Sequence, residues 1–207
     1  MRFDPEEAHR VLRAADPKLA KLMDRAAIYD VTPGGATPFA ALVRSIVYQQ
    51  LSGKAAGTIL GRLVALYRPR RFPRPEDLLA SSDELLRSAG ISRGKSAALK
   101  DLAAKTIEGL VPRSCAALEK LSDDQIVERL TQVRGVGRWT VEMLLIFRLA
   151  RPDVLPVDDY GVRKGFTIFR GLRELATKEQ LEKYGERWRP YRSVASWYMW
   201  RALEAQR

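Results

Sequence analysis

Apolar residues recur at three- and four-residue spacing along most of the chain, and no stretch of useful length alternates with period two, so the pattern predicts an all-α protein. Asp4-Pro5 and Asp16-Pro17 each pair a capping side chain with a proline in the first turn, predicting two short packing helices at the start. Thr32-Pro33-Gly34-Gly35-Ala36 reads as a loop, and Thr37-Pro38 opens a helix whose Phe39, Leu42, Val43, Ile46 and Val47 form one broad apolar face. That helix ends at Tyr48-Gln49-Gln50-Leu51-Ser52, where Ser52 caps a helix running to about Tyr67. After an Arg/Pro-rich connector from Arg68 to Pro75, short helices are expected at Pro75 to Ala80 and Ser82 to Ala89. Gly90 to Lys95 then opens a long amphipathic helix through Leu99, Leu102, Ala103 and Ile107 to Gly109. Ser122 with Gln125 makes a capping box for a helix that runs into Gly135-Val136-Gly137, after which Val141, Leu144, Leu145 and Phe147 resume the apolar pattern. That is helix, tight hairpin, helix. Val162 and Phe166 mark another helix, Thr177 with Gln180 a further capping box, and Arg189-Pro190 the opening of a last helix to about Gln206.

Charge changes the picture more than composition does. The 207 residues suffice for one compact domain or two small lobes, with the connector at Arg68 to Pro75 as the lobe boundary, and a 46% apolar content is ordinary for a globular chain. The balance of 36 Lys+Arg against 25 Asp+Glu leaves +11, which points to a polyanionic partner. Some of that charge is clustered: Arg62, Arg68, Arg70, Arg71 and Arg74 crowd one region, and Arg134, Arg138, Arg163 and Lys164 lie near the hairpin and the Asp pair that follows it. A single cysteine, Cys115, excludes an internal disulfide and a four-cysteine iron–sulfur cluster. The one histidine, His9, lies far from these segments and reads as a solvated helix residue, so no zinc site is expected. Arg44, Lys54 and Arg62 interrupt the most hydrophobic stretch, so no membrane span or signal segment is expected and the protein is placed in the cytoplasm.

Candidate chemistry sits in two segments, Leu130 to Thr140 and Leu155-Pro156-Val157-Asp158-Asp159-Tyr160. Two glycines opening a helix leave backbone N–H groups and the positive end of the helix dipole exposed to an anion such as a phosphate. The glycines are expected to be needed for conformations closed to other residues and for close approach. Read structurally, the first segment is a short αα-hairpin and the two aspartates are caps for the helix that follows. One aspartate can cap while the other faces a pocket.

These residues resemble the helix-hairpin-helix of the DNA glycosylase superfamily, and within it the alkylation-repair branch of 3-methyladenine DNA glycosylase II type, in a compact form without the N-terminal α/β domain. The resemblance extends from about Thr37 to the C-terminus. It implies a two-lobed helical fold with the active-site cleft between lobes, residues 37–68 joining 1–36 and 160–207 in one lobe and 75–158 forming the hairpin lobe. It implies a monomeric enzyme that binds double-stranded DNA containing alkylated bases, flips out an alkylated purine and hydrolyses its N-glycosidic bond. A purine that already carries positive charge needs one carboxylate, and no leaving-group acid, to answer charge building on the sugar.

By this match Asp159 is the catalytic carboxylate. Alignment with bifunctional relatives through Val157-Asp158 would choose Asp158 instead, whereas the register of Tyr160, Val162 and Lys164 favours Asp159. Bifunctional relatives carry a lysine where Trp139 stands, so monofunctional action without strand cleavage is implied. The resemblance places Trp139, Tyr160, Trp200 and Met143 around the base, with Met143 replacing a tyrosine of the family, while Trp188 and Trp197 are assigned to packing. It assigns DNA contact to Gln49, Gln50, Leu51, Ser52, Arg134, Gly135, Val136, Gly137, Arg138, Thr140 and Arg163. Gln50 aligns with the residue that fills the gap left by the extruded nucleotide; the residues alone read equally as a helix cap with solvated amides. The main-chain carbonyls of Thr131, Val133 and Val136 would hold a structural monovalent cation, and no cofactor is expected for the chemistry. A glycosylase for deaminated or oxidised bases, or a non-catalytic DNA-binding module, are the alternative readings.

Overall fold

A computed structural model of the chain describes residues 3–32 and 35–206, so Pro33 and Gly34 of the expected loop lie outside the described residues. Every element among the described residues is helical: α1 (Pro5–Ala15), α2 (Pro17–Met23), α3 (Pro38–Tyr48), α4 (Gly53–Ala65), α5 (Pro75–Ala80), α6 (Asp83–Ser88), α7 (Arg93–Ile107), α8 (Cys115–Glu119), α9 (Asp123–Leu130), α10 (Arg138–Phe147), α11 (Tyr160–Arg170), α12 (Lys178–Gly185), a 3₁₀ turn at Glu186–Trp188, and α13 (Arg192–Glu204). The chain divides into two compact units, Met1–Gly34 with Leu145–Arg207, and Gly35–Leu144.

The first unit is organised around an aromatic core. Leu12 of α1, Leu19 of α2, Phe166 and Phe169 of α11, Trp188, and Trp197 and Tyr198 of α13 belong to one buried cluster. Trp188 and Trp197 are thus packing residues, as expected. Asp16 ends α1 and caps α2, its Oδ1 accepting from the Lys18 and Leu19 amides while Oδ2 accepts the Trp188 Nε1–H at 3.0 Å. His9 departs from the expectation of a solvated ring. Its Nε2 lies 3.1 Å from the Tyr198 hydroxyl, and burial, with Arg13 second, lowers its pKa. α11 and α13 approach so closely that a Cβ on Gly165 would fall 1.8 Å from the Met199 carbonyl oxygen.

The second unit is built on α7. Leu99 and Leu102 of this helix are fully buried, as are Leu42, Val43, Ile46 and Val47 of α3, and each such side chain contributes about 1.5–3 kcal/mol by leaving water. α3 and α5 both pack on α7. That packing corrects the expected lobe assignment: α3 and α4 fold with α5 to α9 rather than with the termini, and residues 145–158 fold with the termini rather than with the hairpin. The expected capping boxes form at Ser122/Gln125 and Thr177/Gln180. The last helix starts later than expected, at Arg192 behind the cap Tyr191, so Arg189 and Pro190 lie in the preceding turn.

Candidate active site and nucleic-acid interface

In the second unit, the turn between α9 and α10 carries the glycine pair. Gly135 takes φ 75°, a left-handed value that a side chain would strain, whereas Gly137 does not take a left-handed φ. The expectation that both glycines serve conformation is therefore corrected. A Cβ at Gly137 would meet nothing within 4 Å, so what glycine provides there is bare backbone immediately ahead of α10. Arg134, Gly135, Gly137, Arg138 and Trp139 are exposed, while Val136 (3%) and Thr140 (4%) are buried. The last two therefore present backbone atoms rather than side chains at the surface of the turn.

Three side chains hold this turn in place. Asp101 on α7 accepts the Arg134 amide at 2.7 Å and the Lys105 ammonium at 2.8 Å, and Lys105 also donates to the Gln132 carbonyl at 2.5 Å. Burial pushes the Asp101 carboxyl up, but the Arg134 amide and Lys105 outweigh it and leave the group below the usual carboxylate value. Gln49, one of the residues expected at the DNA, donates its Nε2–H to the Gly135 carbonyl at 2.8 Å. Ser52 spends its hydroxyl capping α4 at the Ala55 amide, while Gln50 and Leu51 are exposed.

The carbonyls of Thr131, Val133 and Val136 belong to the same turn. Val133 accepts the Val136 amide at 3.0 Å, and each carbonyl oxygen carries two lone pairs, so the neutral oxygen set fits a hard cation of low charge. Among the described residues no group of three or more His, Cys, Asp or Glu side chains is placed to hold a metal ion.

In the first unit, the segment from Arg151 to Asp159 is pinned to α13. Buried Ser193 donates to the Arg151 carbonyl at 2.7 Å and accepts the Val154 amide at 2.9 Å, while Arg192 grips Asp153 through Nε at 2.7 Å and Nη2 at 3.0 Å. Sequence reasoning missed Asp153, Arg192 and Ser193. An acid after α10 and an Arg-Ser pair at the start of α13 give no hint that they meet.

The segment turns at Pro156, whose carbonyl accepts the Asp159 amide at 3.0 Å, and delivers two adjacent carboxylates into different surroundings. Asp158 is half-exposed and ion-paired with Lys178. Asp159 is 9% exposed and caps α11, its Oδ1 accepting the Val162 amide at 2.7 Å and the Trp200 Nε1–H at 2.9 Å. The Trp200 ring stacks on Phe147 with centroids 5.5 Å apart and planes at 28°. Phe147, part of the predicted apolar run, is 36% exposed and was not foreseen as a site residue. Gly161 was also missed: a Cβ there would lie 2.9 Å from Trp200 Cδ1 and 3.0 Å from Asp159 Oδ1. Tyr160 is 64% exposed. Arg163, expected at DNA, donates its Nε–H to the Ala176 carbonyl at 2.9 Å and so holds the connection between α11 and α12. Trp139, 44% exposed, and half-buried Met143 lie on the part of α10 that belongs to the second unit.

The chemistry-bearing features of the two units are thus a buried carboxylate capping a helix beside an indole donor, and a glycine turn leading into α10. Residues 43–190 match the family described as HhH-GPD superfamily base excision DNA repair protein. The chain belongs to the HhH-GPD superfamily. Within it, the chain is 42% identical over 164 residues to DNA-3-methyladenine glycosylase 1 of Schizosaccharomyces pombe, covering 79% of this chain and 72% of that protein. The solved structure of the S. pombe 3-methyladenine DNA glycosylase in complex with abasic DNA superposes with a TM-score of 0.82 at 37% identity, covering 94% of this chain and 95% of that one. A DNA-3-methyladenine glycosidase of Bacillus halodurans gives a TM-score of 0.86 at 35% identity, covering 98% and 93%. The expected fold class, an all-α glycosylase fold, is therefore met.

Proposed function

We propose that this chain is a monofunctional DNA glycosylase of base excision repair, hydrolysing the N-glycosidic bond of alkylated purines such as 3-methyladenine and 7-methylguanine in duplex DNA. The observation that carries the reading is Asp159: a largely buried carboxylate at a helix N-terminus, with Oδ1 fixed by the Val162 amide and the Trp200 indole. As the bond to a positively charged purine breaks, the electron pair leaves with the base and positive charge develops on the sugar. Asp159 answers that charge and orients the water whose oxygen bonds the anomeric carbon; the water's proton is released, leaving a free base and an abasic site. Trp139 stands where a Schiff-base lysine would be needed, which supports hydrolysis without strand cleavage.

Extruding the nucleotide costs a few kcal/mol. The Gly135 and Gly137 backbone with Arg134 and Arg138 would contact the phosphates that offset this cost. The Thr131, Val133 and Val136 carbonyls would hold a monovalent cation bridging to phosphate, with no part in the chemistry. Exposed Gln50 would fill the vacated stack, and Trp139, Met143, Tyr160 and Trp200 are each proposed to contact the base, a cationic ring gaining cation–π energy from an aromatic one. The protein acts as a monomer on DNA inside the cell; no helix among the described residues is long and apolar enough to cross a membrane.

The test is release of methylated purines from duplex DNA by wild type, Asp159→Asn and Asp158→Asn, with strand breaks scored before and after alkali. Asparagine remains a good N-cap, so Asp159→Asn should fold normally yet lose about a hundredfold or more of the release rate. Asp158→Asn should stay within about twofold of wild type, because it removes only an exposed ion pair. Equal loss in both variants, or loss confined to Asp158→Asn, would move the catalytic role from Asp159. Breaks without alkali would refute the monofunctional reading. Release of deaminated or oxidised bases alone would reassign the substrate, and DNA binding without any release would leave a binding module.

A further inference from the structure

Within the second unit, the junction between α3 and α4 is held from two sides. The ammonium of Lys95, in the first turn of α7, donates to the Val47 carbonyl at 2.7 Å and to the Gln49 carbonyl at 2.8 Å, so it closes the C-terminus of α3. Burial holds the Lys95 ammonium below the ordinary lysine value. From the other side, the Gln49 side chain reaches the Gly135 carbonyl at 2.8 Å. Between these anchors and Ser52, the α4 cap, lies Gln50 with φ 57°, a left-handed conformation that a long side chain rarely adopts. Such a backbone persists only where its surroundings over-determine it. Here the surroundings are Lys95, which fixes the carbonyl immediately before Gln50, and Gly135, itself at φ 75° in the turn that Asp101 and Lys105 hold. Gln50 makes none of these contacts itself and is exposed.

We propose that Lys95 and Gln49 are positioning residues that lock the Gln49-Gln50-Leu51 junction to the hairpin turn, holding the Gln50 backbone left-handed so that its side chain is preset for insertion into the duplex. The device rests on the reading of the chain as a base-extruding glycosylase. It makes grip and insertion one event: a phosphate seated at Gly135 and Gly137 meets a turn whose carbonyl is already bonded to the residue preceding the wedge. Without Lys95 the junction relaxes, and the cost of extrusion is no longer offset at the moment of binding.

The experiment separates extrusion from chemistry. 2-Aminopurine placed beside the lesion reports unstacking on protein binding, and base release is measured on the same lesion in duplex and in single-stranded DNA, where extrusion costs little. Lys95→Met should lower duplex release about tenfold and remove the fluorescence rise, with single-strand release unchanged, and Lys95→Arg should restore both. Gln49→Ala should reproduce the loss of the fluorescence rise, and it keeps the proposal testable should Lys95→Met fail to fold. Equal loss on duplex and single-stranded DNA, an undiminished fluorescence rise in both variants, or no rise with wild type would overturn the positioning role. Wild type that unstacks the probe but releases no base would instead refute the enzymatic reading and leave the positioning role standing.

Discussion

At the scale of single residues, the two adjacent aspartates differ by what the chain does immediately around them. Asp158 faces Lys178 in the open, whereas Asp159 has its Oδ1 taken by one helix amide and one indole. Gly161 permits the second of these bonds, since any side chain there would occupy the place of the Trp200 indole edge. This gives Gly161→Ala two effects of opposite sign. Alanine favours α11 by at most about 1 kcal/mol, but displacing the Asp159 cap or its indole partner costs about as much or more, so the melting temperature should stay close to wild type or fall modestly. Base release should fall, because the indole and the carboxylate cannot both keep their positions with a Cβ within 3.0 Å of each. Activity and thermal melting measured on one preparation check this, with the Trp200 indole N–H resonance as the local probe. A variant that keeps wild-type activity would show that the Trp200 to Asp159 bond is dispensable. The aspartate pair was legible in the sequence; Gly161 was not, because its importance comes from Trp200, about forty residues later, and only packing of α11 on α13 brings the two together.

At the scale of elements, the caps and apolar faces read from the sequence became helices because each rests on interactions within a few residues. Ser122 with Gln125 and Thr177 with Gln180 are complete capping boxes formed inside one turn. What the sequence did not reveal is the support of the hairpin turn by α7, since Asp101 and Lys105 lie on a helix that periodicity describes only as amphipathic. The Asp101 carboxyl is held below its ordinary value, so its contribution to the folded turn is fully present above the unfolded value of about 3.9 and is lost as pH falls through that value and the lower folded one. Asp101→Asn removes the charge at every pH. Its melting temperature should therefore lie below that of wild type by a constant margin from pH 7 to about 5, and the margin should close below about pH 4. Thermal melts of both proteins across this range provide the check. A margin still fully open at pH 3 would show that Asp101 acts through packing rather than through its charge.

At the scale of the whole molecule, net charge and local contact make different demands on the same experiment. The formal charge of +11 was plain from composition, but composition does not say which cations a polyanion would touch. Many are already engaged within the chain: Arg192 with Asp153, Arg163 with Ala176, and Arg170 and Arg187 over the Tyr184 ring at 4.2 and 3.7 Å. Arg134 and Arg138 flank the bare glycine turn and are exposed. Counterion release counts phosphates neutralised at the contact, not the total charge, so the slope of log affinity against log salt separates the two accounts. Arg134→Ala and Arg138→Ala should each reduce the magnitude of that slope by about 1, and should weaken binding to undamaged and methylated duplexes alike. Arg187→Ala removes the same unit of net charge and should leave the slope unchanged. Equal slopes for all three variants would mean that DNA is attracted by overall charge alone, and the hairpin would lose its role as the phosphate contact. A reduced slope for Arg134→Ala and Arg138→Ala only would locate the grip at the turn that Gln49 joins to the α3–α4 junction.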